Sequence, residues 1–262
     1  MLHLLAQTDL AIDLRGLKKH GKCRVPSCLI GNFMSEYTST KKLNIEPESI
    51  VKNYNAYGLQ AIHDIDCGDF LRGLLYEIGE DKEHNPNQVK NQTLVSLEWK
   101  FECSNCNRFL TINVKDYVLK ISISEEKSLE KLIEEFLQVK KCPCGNTCKV
   151  NPKVKQLGKY LYLEIDRSVV IAEDSEDQTS KEIRLFSLKL QPSYTLFGFK
   201  YACFGTVSYM LEEEDGGHYV TYLFPSSNEC LKIHETEAKC QWRRPDFDTE
   251  TVLVALQQIG KH

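Results

Sequence analysis

The chain has 262 residues, enough for one large domain or two small ones with a substantial core. Apolar residues make up 42% and charged residues 27%, which is typical of an ordinary soluble globular protein. The formal net charge is −4, so the sequence lacks the basic excess that nucleic acid or an anionic membrane attracts. We therefore expect no nucleic-acid partner and no membrane partner.

The sequence contains no apolar run of about 18 residues, and its N-terminus lacks the pattern of a signal peptide. These features predict a cytoplasmic or nuclear protein. Its 11 cysteines, an odd number, favour free thiols and a bound metal over a disulfide framework.

The N-terminal part is predicted to be helical. Residues 2–12 carry an apolar helix face with no capping residue before it, which predicts a helix that starts ahead of Met1. Cys23 and Cys28 are too far apart for a typical zinc knuckle, and we interpret them as buried structural thiols. A stronger helix is predicted over residues 64–78, capped by Asp66 or a neighbour. Residues 79–92 are predicted to form a solvated loop.

Two cysteine clusters bracket the next segment. Cys103 and Cys106 follow a strand predicted over residues 93–102, and three more cysteines follow some forty residues later, namely Cys142, Cys144 and Cys148. Between them we predict strands over 108–114 and 117–123, then a helix capped by Ser128. Two facing knuckles would supply four thiolates to one zinc ion, and a closed four-cysteine site is structural. The spacing leaves open which two of the last three cysteines bind, and a metal-free thiol cluster is the alternative.

The sequence from Val154 onward is rich in predicted strands, over residues 160–167, 183–190, 194–199 and 201–210. The acidic run 173–182 is predicted to be an excursion between strands. Apolar residues at 252, 253, 256 and 259 predict a C-terminal amphipathic helix from Asp248 onward.

His218 directly follows two glycines and begins an alternating strand. Glycine permits a sharp turn and a close approach of another backbone or of a substrate, so His218 is predicted to stand at the edge of a turn. A second strand over residues 230–235 would form a hairpin that brings His218 opposite residues 234–236. A histidine with a polar partner across a strand pair is a plausible acid/base pair. The alternative is a lone surface histidine near a turn.

Several motifs together carry a resemblance to a known family. They are Asp-x-x-Asp-Phe-Leu-x-x-Leu-Leu at 66–75, Cys-x-x-Cys at 103–106, Leu-x-x-Leu-Ile-x-x-Phe-Leu at 129–137, the second cysteine cluster, Leu-Tyr-Leu-Glu-Ile-Asp-Arg at 161–167, Gly-Thr-Val-x-Tyr at 205–209 and Gly-Gly-His-Tyr-Val at 216–220. In this order they resemble the catalytic domain of ubiquitin-specific proteases over nearly the whole chain.

The resemblance implies an α+β fold of papain-like type, with a helical thumb, a β-rich palm and zinc-ribbon fingers. It implies a thumb over residues 1–92, fingers over 93–157, and a palm over 158–262 that includes the histidine hairpin and the C-terminal helix. The implied activity is thiol-dependent hydrolysis after the Gly-Gly tail of ubiquitin or a ubiquitin-like modifier.

The resemblance also implies roles for individual residues. His218 corresponds to the general base of that family. His234 falls where the family has the aspartate or asparagine that orients the base, and Glu235 is the neighbouring acidic residue that would have to take that part. Gly216, Gly217 and Tyr219 are expected to line the channel for the tail. Which modifier binds is left open.

One departure concerns the nucleophile. The family's cysteine box would lie before the first helix, and residues 1–262 contain no such segment. Three functions of different classes therefore remain open. They are a cysteine protease represented here without its nucleophile, a catalytically dead module that binds ubiquitin or a relative, and a zinc-ribbon interaction module.

Overall fold

The computed structural model describes residues 5, 8, 34, 66–80, 87–150, 152–172, 179–183, 186–212, 216–225, 229–234, 237–241 and 247–261. The predictions for the first helix, for Cys23 and Cys28, and for most of the thumb lie outside these ranges. Leu5 and Met34, which belong to the N-terminal part, are fully buried in the core.

Three helices occur in the described residues, at α1 (Cys67–Glu80), α2 (Asn87–Thr93) and α3 (Leu129–Gln138). Asp66 directly precedes α1 and caps it, because its Oδ1 accepts a hydrogen bond from the Gly68 N–H at 2.6 Å. This confirms the predicted helix and its cap. The helix α3 after Ser128 is confirmed as well, whereas α2 lies in the stretch that was predicted to be a loop.

The strands are β1 (Val95–Glu102), β2 (Phe109–Asp116), β3 (Val118–Ser122), β4 (Lys127–Ser128), β5 (Val139–Lys141), β6 (Thr147–Lys149), β7 (Pro152–Gln156), β8 (Tyr160–Asp166), β9 (Ser168–Ala172), β10 (Thr179–Ile183), β11 (Leu188–Lys189), β12 (Ser193–Leu196), β13 (Phe199–Glu212), β14 (Gly216–Leu223), β15 (Cys230–His234), β16 (Glu237–Gln241), β17 (Phe247–Asp248) and β18 (Thr251–Lys261).

An eight-stranded sheet organises the fold. Its order is β16-β15-β14-β13-β18-β8-β3, with β12 paired to β13. All its pairs are antiparallel except β3 with β8, which run parallel. The strands β2, β1 and β7 form a separate three-stranded sheet, and β5 pairs with β6. The domain boundaries remain a prediction, but β3, from within residues 93–157, is a strand of the large sheet.

Both faces of the large sheet are covered. Along β8, Tyr160 and Tyr162 belong to the core that includes α1, whereas Leu161 and Leu163 belong to the core that includes α3 and β1. Such a sheet buries successive residues on opposite sides, so its central strands consist of nearly continuous apolar residues.

The predicted C-terminal helix is wrong, because residues 251–261 form β18 at the centre of the large sheet. This strand pairs with β13 on one side and β8 on the other. Leu253 and Ala255 face one core, and Val254 and Leu256 face the other. The apolar residues that suggested a helix face are therefore the two sides of a doubly buried strand. None of the described helices is long and apolar enough to span a membrane.

Candidate functional site

The predicted histidine hairpin is formed by β14 and β15, with Val220 opposite His234. The two glycines, however, are not a turn. Gly216 pairs with Glu212 and Gly217 with Leu211, so both are residues of β14. His218 is therefore the third residue of a strand, and the expectation that it stands at the edge of the turn is corrected.

His218 and His234 lie against each other. Their ring centroids are 4.3 Å apart and the ring planes make an angle of 35°. The Nε2 atom of His234 is buried, and no residue that the structure describes forms a hydrogen bond with it. The structure thus brings together two of the predicted site residues, but as a stacked pair. Glu235, the third, lies outside the described residues.

Gly217 has no side chain, which leaves room for the ring of Tyr209 to pack against its backbone. A Cβ at this position would come within 2.5 Å of Cζ of Tyr209 and within 2.7 Å of the carbonyl oxygen of Met210. The Tyr209 ring also packs on Tyr219, with centroids 5.0 Å apart. Because the space beside Gly217 is occupied by an aromatic ring, the role of this glycine in a substrate channel remains a prediction.

The first turn of α1 packs next to this hairpin. The backbone N–H of Cys67 hydrogen-bonds the phenol oxygen of Tyr219, whose pKa is raised above its ordinary value by burial. Burial also raises the pKa of the Asp66 carboxyl. Tyr219 is nevertheless 40% exposed, so this junction between helix and strand is open to solvent on one side.

An ionic cluster around the buried Glu164 holds α1 on the sheet. The carboxylate of Glu164, in a residue only 1% exposed, accepts a hydrogen bond from Nη2 of Arg72 at 2.6 Å and lies 2.6 Å from Nζ of Lys120. Arg72 also contacts Asp116 through Nε at 3.2 Å, and it pairs with Asp69. The cluster joins α1, β3 and β8, and therefore fixes the helix turn that meets Tyr219.

The structure brings four of the five predicted cysteines together in one cluster. The ligand atoms of Cys103, Cys106, Cys142 and Cys144 all lie within 4.8 Å of one another. Two contacts cross between the knuckles, Cys103 Sγ to Cys144 Sγ at 3.5 Å and Cys106 Sγ to Cys142 Sγ at 3.6 Å. Cys148 is outside this set and packs, half-buried, beside the larger core.

The electrostatics of the four-cysteine cluster favour a thiolate at Cys103 and Cys144, whereas burial and contacts with the neighbouring thiols raise the pKa of Cys142 to about 12. Backbone N–H groups of Cys106 and Asn105 point at the sulfur of Cys103 and lower its pKa to about 6. The N–H of Asn146 likewise lowers the pKa of Cys144. Zinc binds cysteine as the thiolate, and the convergence of four sulfurs matches the tetrahedral coordination of one zinc ion. All four ligand positions are protein sulfurs, so the ion would hold the two knuckles together and leave no position for water.

Some residues that pack beside the candidate site were not foreseen from the sequence. Little in the sequence distinguishes Tyr209, Arg72 and Glu164 from other residues of a strand or helix. Their contacts become evident only once the order of the strands is known. A partial signal exists for Glu164, because a charged residue in the middle of the buried run 160–166 requires a partner.

Comparisons with known proteins support the fold. No model of a known protein family matches the chain, and no curated protein matches it. The solved structure of the SAGA Ubp8/Sgf11/Sus1/Sgf73 DUB module contains a similar chain, with a TM-score of 0.70 and 14% sequence identity. The match covers 99% of this chain and 66% of that one, so this chain spans slightly less than two thirds of its length. The fold is therefore of the kind found in a deubiquitinase module, and at this identity the likeness concerns the fold alone.

Proposed function

We propose that the chain is a ubiquitin-specific-protease-like domain that binds ubiquitin or a ubiquitin-like modifier. The observation that carries the proposal is the fold similarity to a chain of a DUB module over 99% of the present chain. The histidine hairpin and the four-cysteine cluster occur where the motifs lead one to expect them. The thumb, palm and fingers arrangement and an intracellular location, in cytoplasm or nucleus, are part of this proposal.

The arrangement around His218 argues against efficient catalysis by these residues. A general base that activates a thiol needs a partner which accepts the hydrogen bond of its other ring nitrogen and stabilises the imidazolium. The ring of His234 lies against that of His218 at a tilt of 35° and carries no negative charge to offer. The expected role of Glu235 as a substitute remains a prediction.

Two thiols near this hairpin, Cys67 and Cys230, lack the character of a nucleophile. Cys67 adjoins Tyr219, but it is buried, and burial together with Asp66 raises the pKa of its thiol. Cys230 is fully buried in the core on β15. A reactive cysteine is partly exposed and has a lowered pKa. We therefore propose that residues 1–262 bind the modifier without hydrolysing its C-terminal bond.

The test uses the whole chain with zinc bound. Calorimetric titration with ubiquitin, and in parallel with other ubiquitin-like modifiers, is expected to give saturable binding to at least one of them. Loss of the two terminal glycines of that modifier should weaken binding, whereas His218→Ala should leave it nearly unchanged. A C-terminal fluorogenic reporter of the same modifier should not be cleaved. Absence of binding to every modifier would refute the proposal, and reporter cleavage that maps to Cys23, Cys28 or Cys230 would refute the assignment of the site.

A longer product of the gene provides a second test. If an in-frame Gly-Asn-x-Cys segment precedes Met1, the extended protein should show thiol-dependent cleavage that His218→Ala reduces about a hundredfold or more. In that protein Glu235→Ala should cost more activity than His234→Ala, because only a carboxylate can stabilise the imidazolium of His218.

A further inference from the structure

The two edges of the three-stranded sheet differ in how well they are protected. Its strands lie in the order β2-β1-β7, so β2 and β7 are its edge strands in the part of the chain that the structure describes. Strand β7 has five residues, begins with Pro152, exposes Lys153 and Lys155, and pairs with β1 through a register shift. Such features keep an edge strand from pairing with another chain. Strand β2 has eight residues, no proline and no register shift, so it is the edge at which a further strand can be added.

The two faces of β2 alternate in exposure and in polarity. Every second residue is exposed, namely Phe109, Thr111, Asn113 and Lys115. The apolar residues between them are half-buried and pack on the larger core, namely Leu110, Ile112 and Val114. Phe109 is 68% exposed, so its ring leaves apolar surface in water that contact with another chain would bury.

The backbone hydrogen bonds determine which residues of β2 face its outer edge. The N–H of Cys103 donates to the carbonyl oxygen of Arg108 at 3.0 Å, so these two residues are a hydrogen-bonded pair of the antiparallel ladder. Hydrogen-bonded and non-hydrogen-bonded pairs alternate along such a ladder, so the even-numbered residues of β2 bond to β1. The N–H and C=O groups of the odd-numbered residues therefore point outward, to an edge with which none of the described strands pairs.

Strand β2 is complementary to a second copy of itself in one antiparallel register. With a two-fold axis at Ile112, Phe109 lies opposite Lys115 of the second copy, and Thr111 lies opposite Asn113. All four of these residues direct their backbone groups outward, so the two strands can form about eight hydrogen bonds. The aliphatic stem and ammonium of Lys115 can cover the exposed ring of Phe109.

The other face of β2 is complementary in the same register. Leu110 lies opposite Val114 of the second copy, and Ile112 lies opposite its own symmetry mate, so these pairs are apolar. Arg108, which directly precedes β2 and is exposed, lies opposite Asp116, so opposite charges meet at both ends of the strand pair. Directly opposite apolar pairs and opposite charges both stabilise antiparallel pairing.

We propose that the chain forms a two-fold symmetric dimer in which two β2 strands pair antiparallel and join both three-stranded sheets into one sheet of six strands. The contact is closed, because each copy uses its only unprotected edge of this sheet. A single strand pair buries less than the roughly 1,200 Å² of a standard interface, so the dimer is weak, with a dissociation constant of roughly 10 µM to 1 mM. The proposal does not depend on modifier binding.

The first measurement is the mass of the full zinc-bound chain by sedimentation velocity, at protein concentrations from roughly 1 µM to 1 mM. The mass should rise from 30.1 kDa towards twice that value. Thr111→Pro should remain a monomer throughout, because its N–H faces the second copy and a proline there spares the bonds to β1. Thr111→Val keeps the N–H and is the matched control, so it should dimerise. A monomer at every concentration, or a dimer that persists in Thr111→Pro, would overturn the proposal.

A charge exchange tests the register. Phe109→Lys places an ammonium opposite Lys115 of the second copy, and each dimer contains this pair twice, so dimer affinity should fall by about threefold to tenfold. Lys115→Glu introduced into the same chain should restore dimer formation. Both positions are exposed, so neither change should disturb folding. Failure of the second change to restore the dimer would contradict the register.

Amide hydrogen exchange measured by NMR locates the contact in the unaltered chain, and it remains decisive if Thr111→Pro unfolds. The outward amides of Thr111 and Asn113 should exchange rapidly at low protein concentration and at least several times more slowly at high concentration. The amide of Ile112, which bonds to β1, should be protected at both concentrations. Outward amides that are protected already at low concentration would show that another segment occupies this edge, and exchange that is rapid at both would show that no strand does; each result contradicts the proposal.

Discussion

Replacement of Gly68 by alanine tests how tightly the ionic cluster holds α1. Glycine to alanine within a helix ordinarily stabilises a protein, by up to about 1 kcal/mol. At Gly68, however, the new Cβ would lie 2.5 Å from Oε2 of Glu164 and 2.7 Å from its Cδ. A carboxylate at the end of a flexible side chain could normally move away. Here it is buried and lies 2.6 Å from nitrogens of both Arg72 and Lys120.

The steric cost of the new Cβ in Gly68→Ala should therefore exceed the gain in helix propensity. Overpacking of a buried position costs about 1–3 kcal/mol, so we expect Gly68→Ala to lower the free energy of unfolding by about 1–2 kcal/mol. In a Glu164→Ala background the obstructing side chain is absent, and the same substitution should be neutral or stabilising by up to about 1 kcal/mol. Urea unfolding of the four proteins of this double-mutant cycle gives the coupling energy. Equal effects of Gly68→Ala in both backgrounds would show that Glu164 does not confine the helix.

Three further predictions concern the cysteine cluster, the helix cap and the core. Cys103→Ser should abolish cysteine-bound zinc and lower the free energy of unfolding severely, since structural zinc contributes on the order of 10 kcal/mol in small zinc domains. Cys148→Ser is the control and should retain the ion. Loss of zinc from both variants, measured as metal content, would contradict the ligand set. Asp66→Asn should stabilise the protein at neutral pH, because burial raises the pKa of Asp66 and its ionised form opposes folding. That gain should disappear as the pH falls through the folded-state pKa towards the ordinary value of 3.8, and a gain independent of pH in chemical denaturation would refute it. Trp99→Phe should cost about 1–3 kcal/mol in urea unfolding, because the ring is fully buried and its Nε1 donates to the carbonyl oxygen of Leu137 at 2.7 Å; an unchanged midpoint would contradict this.

Local signals predicted several elements well. Asp66 caps α1, Ser128 precedes α3, and the alternating residues around Tyr219 form a strand of a hairpin. Each of these features depends on residues close in sequence, through a cap, a helix period or a strand period. The cysteine knuckles were equally visible, but the choice of Cys144 over Cys148 depends on how a hairpin folds back towards Cys103.

The failures share a non-local cause. The periodicity of residues 252–259 is compatible with a helix, and only pairing with β13 and β8 makes the segment a strand. The stacking of Tyr209 beside Gly217 and the pairing of Arg72 with Glu164 likewise join segments whose contact depends on the order of strands. Sequence periodicity contains no information on that order.

The parallel pairing of β3 with β8 in the large sheet connects zinc binding with the folding of that sheet. Strands β3 and β8 are joined by a long crossover, and this crossover contains Cys142 and Cys144. Their partners Cys103 and Cys106 lie on the chain just before β2 and β3. Coordination of zinc would close a loop of the chain that contains β3, which shortens the free chain that must be closed before β8 can reach β3. Because loop closure is an entropic cost incurred before the strand contacts form, a bound ion would favour the pairing of β3 with β8 during folding and would also hold the two cysteine pairs together in the folded protein.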